Sequence, residues 1–239
     1  MAVTFVSASE GTDAGVGVSV PPPAGAQAGD LLIAVVASNS EAGYTHVPPA
    51  GWTILDTGPL GSAIASTMVK VASSDDLSGN IVFQHTPTGT LKDVAIVAAY
   101  RGEFLTPQVD VHAMSALTAS QTNIPVPVVT TTEADATLVV CGVREVSTTS
   151  PATHVWTIPA GTTLRGQDST TGGGAISACM VDLPQTTPGN SAVGDFSTDL
   201  ASSTGGAFVV AIYEGDPPPL IAPVFRRWTV QGWYPPREA

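Results

Sequence analysis

Six consecutive apolar residues, Leu31-Leu32-Ile33-Ala34-Val35-Val36, follow the turn Ala28-Gly29-Asp30 and lead through a polar loop into Pro48-Pro49-Ala50-Gly51-Trp52-Thr53-Ile54-Leu55. A run this short, bounded by turn residues, predicts a strand buried on both faces. The pattern then returns. Asp135 leads into Thr137-Leu138-Val139-Val140-Cys141, and a second polar loop leads into Ile158-Pro159-Ala160-Gly161-Thr162-Thr163-Leu164. A chain that states one buried strand twice is constrained to an architecture that buries it twice.

The rest of the chain supports that reading. Val3–Ser7, Val16–Val20, Gly51–Asp56, Ala63–Val71, Asn80–Gln84 and Leu91–Tyr100 read as strands, with Glu10–Gly15 and Ser73–Ser78 as turn clusters. Glu103–Gln121 reads as a connector. Ile124–Val129 then echoes Val16–Pro22, Ala175–Val181 echoes Ala63–Val69, and Ala207–Tyr213 echoes Val94–Tyr100. The offset drifts from about 105 to about 113 residues, as expected when insertions fall in loops. On this reading Tyr100 and Tyr213 hold the same place in both copies. The predicted fold is all-β. It is an antiparallel, jelly-roll-like β-sandwich over residues 1–215, built from pseudo-repeats at about 16–104 and 124–215 that pack as one sandwich. Two tandem β-domains are the alternative.

Composition fits that class and excludes others. Charged residues make up 12% of the chain, against 43% hydrophobic, with 24 Gly and 20 Pro. That is too apolar for disorder, and it is punctuated like a sheet protein. A formal net charge of −12 repels phosphate backbones, so nucleic acid is not an expected partner. No apolar run approaches a membrane span, so no membrane insertion is expected. The N-terminus lacks a basic region followed by an apolar one, which predicts no signal peptide and synthesis in a cytoplasm.

Residues 216–239 differ from everything before them. After Asp216-Pro217-Pro218-Pro219 come Phe225, Arg226, Arg227, Trp228, Trp233 and Tyr234 among further prolines. The prolines oppose a compact helix, and an extended chain of this length reaches roughly 70–80 Å. Large aromatics and arginines are what docking hot spots contain, so this C-terminal arm is the predicted partner-docking segment.

Catalytic signatures are missing. His46, His85, His112 and His154 show no metal-ligand spacing and are expected in loops or at the surface, and no metal or cofactor is expected. There is no nucleophile elbow and no phosphate loop opening onto a helix. Asp75-Asp76, Glu103 with Asp110, and Asp195 with Asp199 are carboxylate pairs by residue type only, and turn roles suit them better. Cys141 and Cys179 are expected as free core thiols, with a disulfide open to them if their strands are neighbours. Trp52 is matched by Thr162, and Trp156 has no counterpart. Each is either a platform for stacking sugar rings or core filler.

The segment Gly29–Val36, the Pro-Pro-Ala-Gly-Trp-Thr-Ile-Leu segment and the alanine-rich strand ending Ala99-Tyr100-Arg101-Gly102 together resemble a family of proteins. These are β-sandwich virion structural proteins, of minor-tail or decoration type, from tailed phages of actinobacteria. The resemblance spans roughly residues 16–215, and its motifs are structural. It implies a non-enzymatic virion protein, most simply a minor tail protein, assembled with other virion subunits as a homo-oligomer. Capsid decoration and a carbohydrate-binding module that contacts the host cell wall are the alternatives.

Overall fold

A strand with apolar side chains on both faces needs a cover on each side. The computed structural model of the protein, which describes residues 3–40, 43–104, 106–146 and 155–215, supplies both covers. The fold is all-β and antiparallel. In the first half, strands β1 (Thr4–Gly15), β2 (Gly17–Val20), β3 (Leu31–Ser38), β4 (Thr45–Val47), β5 (Thr53–Leu60), β6 (Ala63–Val71), β7 (Ile81–Thr86) and β8 (Leu91–Arg101) form two sheets. The larger has the order β1-β8-β3-β6-β5 and the smaller β2-β7-β4. The second half contains β9 (Val109–Ala116), β10 (Gln121–Ile124), β11 (Thr130–Thr131), β12 (Ala136–Val146), β13 (Trp156–Thr157), β14 (Thr163–Ser169), β15 (Ala175–Gln185), β16 (Gly189–Asn190), β17 (Phe196–Ser202) and β18 (Gly205–Ile212). Its larger sheet runs β9-β18-β12-β15-β14 and its smaller β10-β17-β13, with β11 and β16 forming a separate two-stranded ladder. Matched in chain order, the two halves have the same strand order.

The layers differ from a single shared sandwich. Each half closes its own two-layer sandwich, and the two five-stranded sheets then pack face to face. Leu31, Ile33, Val35 and Ala37 of β3 meet Val139, Cys141, Val143, Ile176 and Phe208 in the core between the units. The alternate residues Leu32, Ala34 and Val36 turn away toward Val18, Ile81 and Phe83 of the first small sheet. Leu138 and Val140 turn likewise toward Ile124 and Phe196 of the second. The physical reason is visible in β3, where all eight residues are buried. A two-layer sandwich would leave one of its faces in water. The outer strand β7, by contrast, alternates buried and exposed as a surface layer should.

Two segments read as turn or connector are strand. Residues 10–15 continue β1, pairing from Glu10 opposite Ile96 to Gly15 opposite Leu91. Within 103–121, β9 pairs with β18 as an edge strand. Edge strands have one solvated side and tolerate small and polar residues, so composition hid both. The 124–129 alternation yields only Ile124 to a strand.

Register also corrects the internal match. Leu31 lies opposite Tyr100, while Thr137 lies opposite Ile212. Tyr100 therefore corresponds to Ile212, not Tyr213. Its ring fills the core between units, and its hydroxyl donates to Asp182 Oδ2 at 3.2 Å. By the same logic Thr67 corresponds to Met180 and Ser66 to Cys179. One residue of slip moves a side chain to the opposite face.

The paired units are related by an approximate two-fold. β1 lies beside β14 and β5 beside β9. Asn39 Nδ2 donates to Gly174 O at 3.0 Å, and at the symmetric place Ser62 Oγ donates to Glu145 Oε2 at 2.6 Å. The repeated Pro-Ala-Gly is a turn in both units. Gly51 and Gly161 have φ of 80° and 81°, a left-handed conformation that glycine adopts without strain.

Gly142 is required for another reason. A Cβ there would lie 2.6 Å from Cζ3 of Trp156 and 3.2 Å from Cδ2 of Phe196, whereas the first unit has Val36 at the corresponding position. Gly142→Val is expected to cost about 1–3 kcal/mol by overpacking. Combined with Trp156→Leu in a urea-denaturation double-mutant cycle, the effects should be less than additive. Strict additivity would show that the ring is not what the new side chain meets.

Candidate functional site: a buried serine–histidine–aspartate cluster

Pairing brings four polar residues together at one end of the first unit. Ser38, the last residue of β3, lies opposite Asp93 on β8, and His46 on β4 lies opposite His85 on β7. Ser38, His46, His85 and Asp93 are all buried, as is Ser66 on β6. Ser38 Oγ donates to Asp93 Oδ1 at 2.5 Å and lies 2.9 Å from His46 Nε2. Ser66 Oγ lies 2.8 Å from His46 Nδ1 and 2.7 Å from Thr57 Oγ1. His85 Nδ1 lies 3.2 Å from Pro87 O, and its Nε2 lies 3.6 Å from Asp93 Oδ2. The ring of Tyr44 meets His85 edge-on at 5.3 Å.

Proton accounting shows what these groups do. Ser38 has one hydroxyl proton and gives it to Asp93. His46 must therefore carry its proton on Nε2 and donate to Ser38 Oγ, with Nδ1 facing Ser66 Oγ, whose own proton goes to Thr57 Oγ1. A serine nucleophile needs the reverse, a bare imidazole nitrogen accepting the serine proton, with the carboxylate on the far nitrogen. It also needs access, and Ser38 is 0% exposed. The cluster holds protons in place and presents no nucleophile to solvent.

Burial lowers the His46 pKa to about 4, with His85 adding to the effect. Burial raises that of Asp93, opposed by the Ser38 hydrogen bond and His85 and reinforced by Asp13. The folded pKa of His46 lies below the usual value near 6.5. Its contribution to stability is thus present above that pH and is lost as pH falls through about 4.

The histidine expectation is therefore corrected for two of the four. His46 and His85 are interior groups, because polar residues inside a sandwich must find one another. His112 is more exposed, with Nδ1 3.0 Å from Asp56 Oδ2, and His154 lies outside the described residues. The sequence did contain a signal for the cluster. Ser38 closes the buried strand that begins with the run Leu31–Val36, and Asp93 interrupts the apolar strand Leu91–Tyr100, so both are polar residues at core positions. The second unit has Arg144 opposite Gly205 and Trp156 opposite Thr198 at the corresponding places. The cluster belongs to one unit alone.

Trp52 and Trp156 are core. They are 6% and 8% exposed and pack edge-on against the corresponding Phe83 and Phe196 at 5.4 and 5.6 Å. Trp156 Nε1 donates to Ser177 Oγ at 2.7 Å. Neither indole offers a free face to a sugar ring, so the platform reading of Trp52 and Trp156 is withdrawn. Trp52 does line a surface hollow of about 330 Å³ with Lys70, Asp76 and Asn80, and there Lys70 Nζ donates to Asp76 Oδ1 at 2.6 Å.

Asp76 closes a local turn, whereas Asp110, Asp195 and Asp199 tie together segments far apart in the chain. Asp76 accepts from the Ser73 N–H, Asp110 from those of Thr132 and Glu133, Asp195 from that of Val126 and Asp199 from that of Val155. Among the described residues no group of three or more His, Cys, Asp or Glu could hold a metal ion. Cys141 and Cys179 are free. Their strands are neighbours, but Cys141 faces the core between units and Cys179 the outer core of the second unit, so they cannot bond. Burial pushes both thiols up, Cys179 to about 12. Phe225, Arg226, Arg227, Trp228, Trp233 and Tyr234 lie outside the described residues.

No protein-family model, curated protein or solved structure matches the chain.

Proposed function

We propose that this chain is a non-enzymatic virion structural protein of minor-tail type. It is a tandem duplication of a jelly-roll unit, and residues 216–239 anchor it to neighbouring virion subunits in a homo-oligomeric assembly. The common strand order supports the duplication: each five-stranded sheet interleaves with its own three-stranded sheet in the same chain order. The observation that carries the functional reading is that the polar side chains gathered inside the protein bond chiefly to one another, with His85 Nε2 and Asp93 Oδ2 the unpartnered pair of the cluster. Ser38, His46 and Asp93 bond among themselves, and Ser62, Glu145, Tyr100 and Asp182 bond across the units. The segments that carry the virion resemblance are likewise scaffold. Leu31–Val36 is the central strand, and Pro49-Ala50-Gly51 is the turn that both units use.

Deleting Pro217–Ala239 is expected to leave a folded, soluble double sandwich that no longer joins the particle. The checks are circular dichroism on the purified truncation and immunoblotting of particles assembled with it. Normal incorporation would refute the anchoring role. Density from labelled protein in reconstructed particles separates the tail from the capsid surface.

A further inference from the structure

The cluster at the end of the first unit has an unequal charge balance. Two imidazoles, His46 and His85, sit side by side on β4 and β7, and one carboxylate, Asp93, faces them from β8. The groups on the surrounding elements can be named in full. β3 and β6 contribute the neutral hydroxyls of Ser38 and Ser66, β5 contributes Thr57, and the loop before β4 contributes Tyr44. β2 has no titratable residue, and β1 contributes Asp13, opposite Asp93 in register. The neighbour of Asp93, Lys92, points away to the carbonyls of Thr171 and Gly173 in the second unit. His85 Nε2 and Asp93 Oδ2 are buried, have no hydrogen-bond partner and are 3.6 Å apart.

From this arrangement we infer that the cluster is an acid-sensitive latch, which holds the outer sheet β2-β7-β4 against the first unit at neutral pH and releases β4 and β7 when both histidines are protonated. The first added proton has a place. On His85 it creates an imidazolium whose Nε2–H faces Asp93 Oδ2, and it pairs two groups that are unpartnered in the neutral state. The second proton, on His46 Nδ1, has an acceptor in Ser66 Oγ but no counter-ion. His46 would then donate from both nitrogens, to Ser38 Oγ and Ser66 Oγ, and the buried pair of cations would face a single buried carboxylate. An uncompensated charge inside a protein is relieved by exposing it to water. Of the strands that carry the histidines, β4 is the freer to move, since it has three residues and pairs only with β7. Burial keeps His46 neutral until the pH falls to about 4.

The second unit is a built-in control, because the corresponding strands β13 and β17 hold Trp156 and Thr198 in place of the histidines. Amide hydrogen exchange on the full chain, measured from pH 7 to pH 4 and corrected for intrinsic rates, reads both units at once. Expected is a loss of protection of tenfold or more at residues 45–47 and 81–86, with 156–157 and 196–202 unchanged. Asp93→Asn should move the loss to higher pH, and His46→Gln should abolish it. If His46→Gln does not fold, the comparison between units in the unaltered chain decides alone. Equal loss in both units, or unchanged protection at 45–47 and 81–86 down to pH 4, would overturn the latch.

Discussion

Phe208→Ala is expected to destabilise the protein by about 3–5 kcal/mol, the cost of deleting a fully buried aromatic ring. Phe208 is 0% exposed, lies opposite Cys141 and Met114 on its neighbouring strands, and belongs to the core between the units. In a chain of this size the change should lower the melting temperature by roughly 10 °C. The form of the transition is the sharper test. Leu31, Ile33 and Val35 of the first unit share that core with Val139, Cys141 and Phe208 of the second. Either unit, unfolding alone, would expose the apolar face of its partner at about 25 cal/mol per Å². Calorimetry should therefore show both units melting in one transition, before and after the substitution. Two separate transitions, with only the second-unit one displaced by Phe208→Ala, would mean that the face-to-face packing does not couple them.

The second large effect is expected at Arg144, the largest fully buried side chain among the described residues. Its guanidinium donates to the carbonyls of Gln121, Thr122 and Ser202, tying β10 and β17 to the end of β12. Burial lowers its pKa, and Asp199 opposes that shift. Arg144→Met keeps an unbranched stem in the core but removes every donor. Two effects compete. Relief of a buried charge favours the variant, as replacement of whole buried ion pairs by apolar groups has shown. Here, however, the three carbonyls stay behind, and each orphaned acceptor costs about 1–3 kcal/mol. The orphans win, and a net loss of about 3 kcal/mol is expected in guanidinium denaturation. Arg144→Lys should recover part of it, because an ammonium reaches fewer of the three carbonyls than the planar fork does. A neutral Arg144→Met would show that the carbonyls find water instead.

Arg144 occupies the place that Ser38 occupies in the first unit, and this divergence bears on where function lies. The scaffold is the same in both units: the buried strand, the Pro-Ala-Gly turn and the phenylalanine under a tryptophan. What differs is how each unit closes the end of its sandwich, with a titratable cluster in the first and with Arg144 and Trp156 in the second.

The sequence by itself determined the class of fold, the central strands and the existence of two similar halves. Apolar runs such as Leu31–Val36 admit only burial on both faces, and Gly51 and Gly161 fit a turn whose backbone favours them. It also marked Ser38 and Asp93 as polar residues in core strands, though not the partners that would satisfy them. Tertiary structure alone decided the rest. It made two sandwiches stacked through their large sheets, placed β9 in a stretch that reads as a connector, put Tyr100 opposite Leu31 where Ile212 faces Thr137, and brought His46 and His85 inside. The reason is common to all four. A strand buried on both faces has no alternation to reveal which side each residue takes, and an edge strand has too little apolar character to announce itself. Facing and partnership are therefore set by register between strands far apart in the chain, and register exists only once the sheets have formed.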